Sequence, residues 1–212
     1  MIALLISVFS NKDSSLKITT RFCNLSLFIS LILIVLSHQN SGYLFNEMYV
    51  YDGLSLYSKI LIILGTILTL LIGSKPQKID GFNQPEYPVL ILFSVLGMVL
   101  MTSSKNLISL YMALELQSLP LYVIAAINRD NLKSSEAGLK YFILGALSSG
   151  LLLFGMSLVY GAVGDTSFLS ISEVSSQKMS SILLVGLVFI LSGLAFKISL
   201  VPFHMWTPDV YE

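Results

Sequence analysis

Apolar residues in this chain come in long unbroken blocks separated by short polar stretches, with no sustained alternation at the strand period. The blocks fall at 2–9, 23–39, 53–73, 87–103, 106–127, 137–163 and 180–203. All but the first approach the ~20 residues that a helix needs to cross a hydrocarbon core. The stretches between them, NKDSSLK, NSGYLFNE, SKPQKIDGFNQPE, NRDNLKSSE and GDTSFLSISEVSSQK, carry the polar, Gly and Pro residues of loops. The pattern predicts an all-α, polytopic transmembrane bundle of about seven spans. It is read as one transmembrane domain over 1–212, without a soluble domain, a low-complexity tract or a short repeat. The block at 2–9 has its basic residues, Lys12 and Lys17, after it and none before it, and no small-residue cleavage site follows. It therefore reads as a clipped first span rather than a signal peptide.

Composition supports the membrane as solvent. Hydrophobic residues make up 55% and charged residues 11%, against about 25% charged in a typical soluble domain. The 12 basic and 12 acidic residues cancel, so no basic stripe points to nucleic acid. One cysteine, Cys23, cannot by itself hold an iron–sulfur cluster or a structural zinc. Two histidines, His38 and His204, are too few for a haem-rich electron carrier, and neither a G-x-G-x-x-G turn nor a Walker A loop is present. Redox and nucleotide chemistry, where relevant, belongs to other chains.

Basic residues also orient the bundle. Lys12, Lys17, Arg21, Lys75, Lys78, Arg129 and Lys133 follow the first, third and fifth blocks, whereas only Lys105 and Lys178 follow the second, fourth and sixth. The positive-inside rule puts the first set on the cytoplasmic or matrix side. Three basic residues remain, Lys59, Lys140 and Lys197, each within a block, and Glu115 is the only acid deep in one. A charge at the centre of a span costs roughly 2.5–3.5 kcal/mol on insertion scales, so these positions are candidates for function.

Glu115, in NLISLYMALELQSLPLYV, is too deep for its short side chain to reach an interface. It is either a neutral structural carboxyl or part of an ion path. Lys140 stands early in its block, where a lysine can snorkel; alternatively it pairs with Glu115, and each relieves the other's burial. The run GALSSG nearby puts small residues at the four-residue spacing of close helix packing. Ser180 to Asp209 is 30 residues, about 45 Å if helical, which exceeds the ~30 Å core. Pro202 and Pro208 disfavour an unbroken helix, so an interruption is expected at 199–202, beside Lys197. Broken helices expose backbone dipoles to water-filled cavities in ion transporters, and lysines held in apolar surroundings can exchange protons near neutrality. His204, just after the break, is either a proton relay or a hydrogen-bonded loop residue. Lys59 reads as a snorkelling lysine, and Trp206 with Tyr211 as an interface anchor. Metal binding has little to support it.

The strings YMALELQSLPLYVIAA, SSEAGLKYFILGALSSGLLLFG and LAFKISLVPFHMWTPDVYE resemble the antiporter-like chain N of NADH:quinone oxidoreductase (respiratory complex I). The mitochondrial counterpart of that family is NADH dehydrogenase subunit 2. The resemblance covers most of the chain and is strongest over 87–212. It implies a membrane-arm subunit of a proton-translocating NADH:quinone reductase, with NAD, flavin, iron–sulfur clusters and quinone bound by partner subunits and no redox site on this chain. Partners would be the other membrane-arm subunits and the lipid bilayer of a bacterial inner membrane, or of a mitochondrial one in an organelle. Glu115 maps to the family's fifth-span glutamate, Lys140 to the lysine that this glutamate modulates, and Lys197 to the broken-helix lysine that carries a proton. His204 joins the path. Members continue beyond this point with a second inverted repeat, so a partial chain that should not pump alone is expected: a fragment, a split gene product or a remnant. Cation/proton antiporter subunits share the Glu–Lys arrangement and are the alternative.

Overall fold

The computed structural model describes Leu5 and residues 12–37, 42–73, 84–177 and 179–211. The block at 2–9 lies outside them but for Leu5, as do His38, Lys75, Lys78, Lys178 and Glu212. Among the described residues the chain is a helical membrane bundle. Helix α1 spans Lys12–Leu36, α2 Gly53–Gly73, α3 Tyr87–Met101, α4 Leu107–Ala125 and α5 Leu132–Val163. Helix α6 spans Phe168–Gln177, α7 Ser181–Lys197 and α8 Thr207–Tyr211. Four of these (α2, α4, α5 and the 15–36 part of α1) are long and apolar enough to cross a membrane, and α3 and α7 are shorter apolar helices.

Two packing units share the chain. Cys23 and Leu27 of α1, Ile63, Ile67 and Leu70 of α2, and Val89 and Val95 of α3 form one apolar core. Leu107 and Leu114 of α4, Leu152, Met156 and Val159 of α5, and Leu183 and Ile190 of α7 form the other. Small residues let the backbones meet where helices pack closest, as membrane interfaces favour. A Cβ on Gly155 would lie 2.7 Å from the Gly186 carbonyl oxygen, and one on Gly186 would lie 2.9 Å from that of Gly155. A Cβ on Gly97 of α3 would come 2.5 Å from the Gln117 amide nitrogen of α4.

Helix ends follow local chemistry. Asn106 caps α4 by accepting from the Ser109 amide, Asn131 caps α5 through Lys133, and Ser180 caps α7 through Leu183. Helix α5 ends on Gly164 in the left-handed conformation, φ 79°, which costs glycine little.

Several expected boundaries move. Lys12, Lys17 and Arg21, expected in a loop, lie on the opening turns of α1, which starts eleven residues before position 23. Helix α5 starts at Leu132 rather than 137, so its 32 residues are about 48 Å long and project beyond the ~30 Å core. The stretch expected as a loop at 164–178 holds the short helix α6. The stretch at 40–47 contributes to a two-stranded antiparallel hairpin, Gly42–Leu44 (β1) with Tyr49–Tyr51 (β2). The hairpin is laced to neighbouring loops. The Val50 amide donates to Ser103 O at 2.8 Å, Lys105 to Met48 O at 2.9 Å and Leu107 to Thr166 O at 2.9 Å. This closes the backbone of the side poor in basic residues, here called the outer side.

The interruption expected at 199–202 is present. Helix α7 stops at Lys197, Ser199 takes φ 57°, and helix resumes at Thr207. Thr207 Oγ1 and Ser199 Oγ are hydrogen-bonded across the gap at 2.9 Å. Trp206 is not an interface anchor. It is buried, donates from Nε1 to the Phe196 carbonyl at 3.1 Å and stacks on Tyr141 with ring centroids 4.4 Å apart. The Phe196 carbonyl, which also accepts from the Ser199 amide at 3.1 Å, thus takes a second donor from the indole, which fastens the segment after the break to the helix before it.

Candidate functional site

Glu115 sits eight residues along α4, about 12 Å from its start, inside the bundle. Lys197 is the last residue of α7, where the negative end of a helix dipole favours a cation. The two meet. Lys197 Nζ lies 3.8 Å from Glu115 Oε1, with side chains only 11% and 23% exposed. Lys197 Nζ also donates to Ser118 Oγ at 2.9 Å and to the Tyr122 hydroxyl at 3.0 Å. Ser118 and Tyr122 stand one and two turns beyond Glu115 on the same face of α4, which is why one ammonium reaches all three. Glu115 Oε1 in turn accepts from Ser149 Oγ of α5 at 2.5 Å.

Room for this cluster comes from α5. A Cβ on Gly145 would lie 2.3 Å from the Tyr122 hydroxyl, so the glycine admits the phenol that holds Lys197. Gly145 and Ser149 are the four-spaced small residues of GALSSG. The run is therefore both a packing surface and the source of a hydrogen bond to the buried acid, while Ser148 donates to the Gly193 carbonyl of α7 at 3.1 Å. Tyr122 is further wedged edge-on against Tyr141, with centroids 4.6 Å apart.

The expected partnership of Glu115 with Lys140 is replaced by that with Lys197. Lys140 bridges instead to Glu136 at 2.8 Å and to Asp209 of α8 at 3.2 Å, with 42% of its side chain exposed. The reason is helical phase. On α5, Gly145 and Ser149 face α4, whereas Lys140 falls on the stripe that meets α8, one turn from Glu136. His204 is exposed, and its imidazole has no hydrogen-bond partner among the described residues. Of the four sequence candidates, then, two share one site, one ties α5 to α8 and one stands apart. Ser118, Tyr122 and Ser149 were not singled out. A polar residue three or seven positions from a buried acid was the available signal, but hydroxyls in membrane helices commonly bond their own backbone, as Ser118 Oγ also does to Leu114 O at 2.7 Å. Lys59, expected to snorkel, is 9% exposed and sits over the Tyr51 ring, 4.8 Å from its centroid. No three of His, Cys, Asp or Glu come together as a metal cluster among the described residues.

Residues 104–212 match the family described as NADH:quinone oxidoreductase/Mrp antiporter, TM. NADH-quinone oxidoreductase subunit N of Bartonella bacilliformis is 53% identical across 100% of this chain and 43% of its own length. The same-named protein of Pelagibacter ubique is 54% identical across 100% of this chain and 45% of its own. The chain thus spans less than half the length of these curated relatives. A chain of respiratory complex I from Thermus thermophilus superposes with a TM-score of 0.79 at 31% identity, covering 99% of this chain and 44% of that one.

Proposed function

The chain belongs to the NADH:quinone oxidoreductase/Mrp antiporter transmembrane family, and on that premise we propose that it serves as a membrane-arm subunit of an NADH:quinone oxidoreductase. There it takes part in proton translocation coupled to electron transfer from NADH to quinone. The family description also covers antiporters. Identity of 53% over the whole chain with an oxidoreductase subunit favours the first reading. In it NAD, flavin, iron–sulfur clusters and quinone are bound by partner subunits, and this chain carries protons rather than electrons. The membrane is a bacterial inner membrane, or the mitochondrial inner membrane if the chain is organellar.

The observation that carries the reading is Lys197, placed at the interruption of a helix, held by two hydroxyls and faced by one carboxylate. A hydroxyl both donates and accepts. Ser118 and Tyr122 can therefore accept from the ammonium, then turn and donate to the neutral amine. The site satisfies lysine in either protonation state, as a proton carrier needs. Glu115 supplies the negative charge that faces the ammonium. Ser149 fixes the carboxylate. Lys140 lies eight residues along α5, about 12 Å from the end that faces the basic side; with His204 it is proposed as the more accessible part of the same path.

The test is substitution in the assembled enzyme. Lys197→Ala is expected to abolish proton pumping and most NADH:quinone turnover in membrane vesicles, while Lys197→Arg assembles and pumps poorly, because arginine does not give up its proton. Full turnover and pumping by an assembled Lys197→Ala enzyme would make Lys197 a structural lysine. Affinity purification through a tag on this chain separates the two family readings: NADH-oxidising subunits should accompany it, and a cation/proton antiporter assembly without them would overturn the assignment.

A further inference from the structure

Lys59 has no place in the proton path, yet the fold takes care to bury it. It lies six residues along α2, about 9 Å below the outer end of that helix, and is 9% exposed. The Tyr51 ring covers the ammonium at 4.8 Å, and among the described residues no carboxylate lies within ion-pair distance. Lys59 lines a cavity of about 470 Å³, shared with Leu44, Met48, Val99, Leu100 and Ser103. Ser103, 5% exposed, has a buried hydroxyl oxygen with no protein partner. A cation and an unpaired hydroxyl thus share one apolar chamber.

The chamber is held open. Tyr51 is fixed by donating its hydroxyl to the Ile34 carbonyl of α1 at 2.9 Å. The hairpin wall is pinned to the end of α3 by the Val50 to Ser103 backbone bond and by Lys105 to Met48. Preformed, mostly apolar cavities of roughly 300–1,000 Å³ with a few convergent polar groups are the usual form of a ligand site. The polar groups at hand are a cation and a hydroxyl, so the ligand's head is an anion able to accept hydrogen bonds, and the apolar walls call for a hydrocarbon tail. The level, beneath the hairpin where α2 starts, is that of lipid headgroups meeting acyl chains.

We propose that this cavity is a binding site for an anionic phospholipid of the outer leaflet, its phosphate on Lys59 and Ser103 and an acyl chain along Val99 and Leu100. The site is separate from the Glu115–Lys197 cluster and does not rest on the proton-transfer reading. The chain purified in detergent with its native subunits is incubated with photoactivatable phosphatidylglycerol or phosphatidylcholine, irradiated and mapped by peptide mass. Phosphatidylglycerol should label the peptides containing 44–59 and 99–103 at least fivefold more than phosphatidylcholine. Lys59→Gln should bring that labelling down to the phosphatidylcholine level, and Lys59→Arg should keep it. Equal labelling by the two lipids, or labelling undiminished in Lys59→Gln, would overturn the proposal. So would full displacement by 10 mM inorganic phosphate, since that means a phosphate site indifferent to the tail. If Lys59→Gln does not assemble, Leu100→Trp fills the cavity and leaves the charge; it too should lose the label, and retention would refute the site.

Discussion

Replacing Glu115 with Gln is the most direct probe of the cluster. Gln preserves the volume and leaves an oxygen for Ser149 to bond, so the substitution removes charge and little else. At the observed 3.8 Å, two unit charges in a surrounding of effective dielectric about 20 attract by about 4 kcal/mol. That agrees with the roughly 3–5 kcal/mol that breaking a buried pair by removing one partner typically costs. Glu115→Gln takes that attraction away and leaves the Lys197 ammonium at the break without the carboxylate that faces it. Inverted membrane vesicles from cells carrying Glu115→Gln should show pumping, read by quenching of a pH-sensitive dye with NADH as donor, below a tenth of the wild-type rate at normal subunit content. The double variant Glu115→Gln/Lys197→Gln should lose no more than either single one, since both act through one interaction. Wild-type pumping by an assembled Glu115→Gln enzyme, or additive losses in the double variant, would refute the reasoning.

Other expectations follow from the same geometry. Tyr122→Phe removes one hydrogen bond to a charged group, worth about 1.5–3 kcal/mol, and should slow NADH:quinone turnover by an order of magnitude or more while the complex assembles normally on a native gel. Gly155→Leu drives a side chain into the Gly186 backbone; overpacking of this kind costs typically 1–3 kcal/mol, and the variant chain should be depleted from membranes by immunoblot. Lys140→Ala breaks contacts of a half-exposed lysine with Glu136 and Asp209 and should reduce pumping, though less than Lys197→Ala does; unchanged pumping would take Lys140 off the path and leave it only tying α5 to α8. Outside the membrane, hydrogen bonds from the Ser170 hydroxyl and from the Thr166 and Ser167 amides hold the Asp165 carboxyl below its ordinary pKa. Because the folded state lowers it, the stabilisation is present above the usual aspartate range near 3.9 and fades as pH falls through the folded value. Limited proteolysis at 164–170 should quicken as pH falls below about 4 in the wild type, and Asp165→Asn should flatten that dependence.

The long apolar blocks were decisive in one dimension. Hydrocarbon length sets the minimum span and unpaired backbone cannot face lipid, so the spans at 53–73 and 106–127 and the all-α class followed from composition and run length alone. The interruption near 199–202 was legible as well, because thirty residues with two prolines cannot form one straight crossing. Burial cost singled out Glu115 and Lys197 before any fold was known. Their partnership was not readable. Which buried charge meets which depends on helical phase and on the order in which helices pack, and both are set by contacts far apart in sequence. Gly145 and Ser149 turn one face of α5 to α4, and that rotation gives Glu115 to Lys197 and sends Lys140 to Asp209. Trp206 was mistaken for an interface anchor and Lys59 for a snorkelling lysine for the same reason: their environments are built by Tyr141 and Phe196 in one case, and by the hairpin and α3 in the other. Sequence alone determined that this chain lives in a bilayer and which charges are costly there; only the tertiary structure decided how each charge is held.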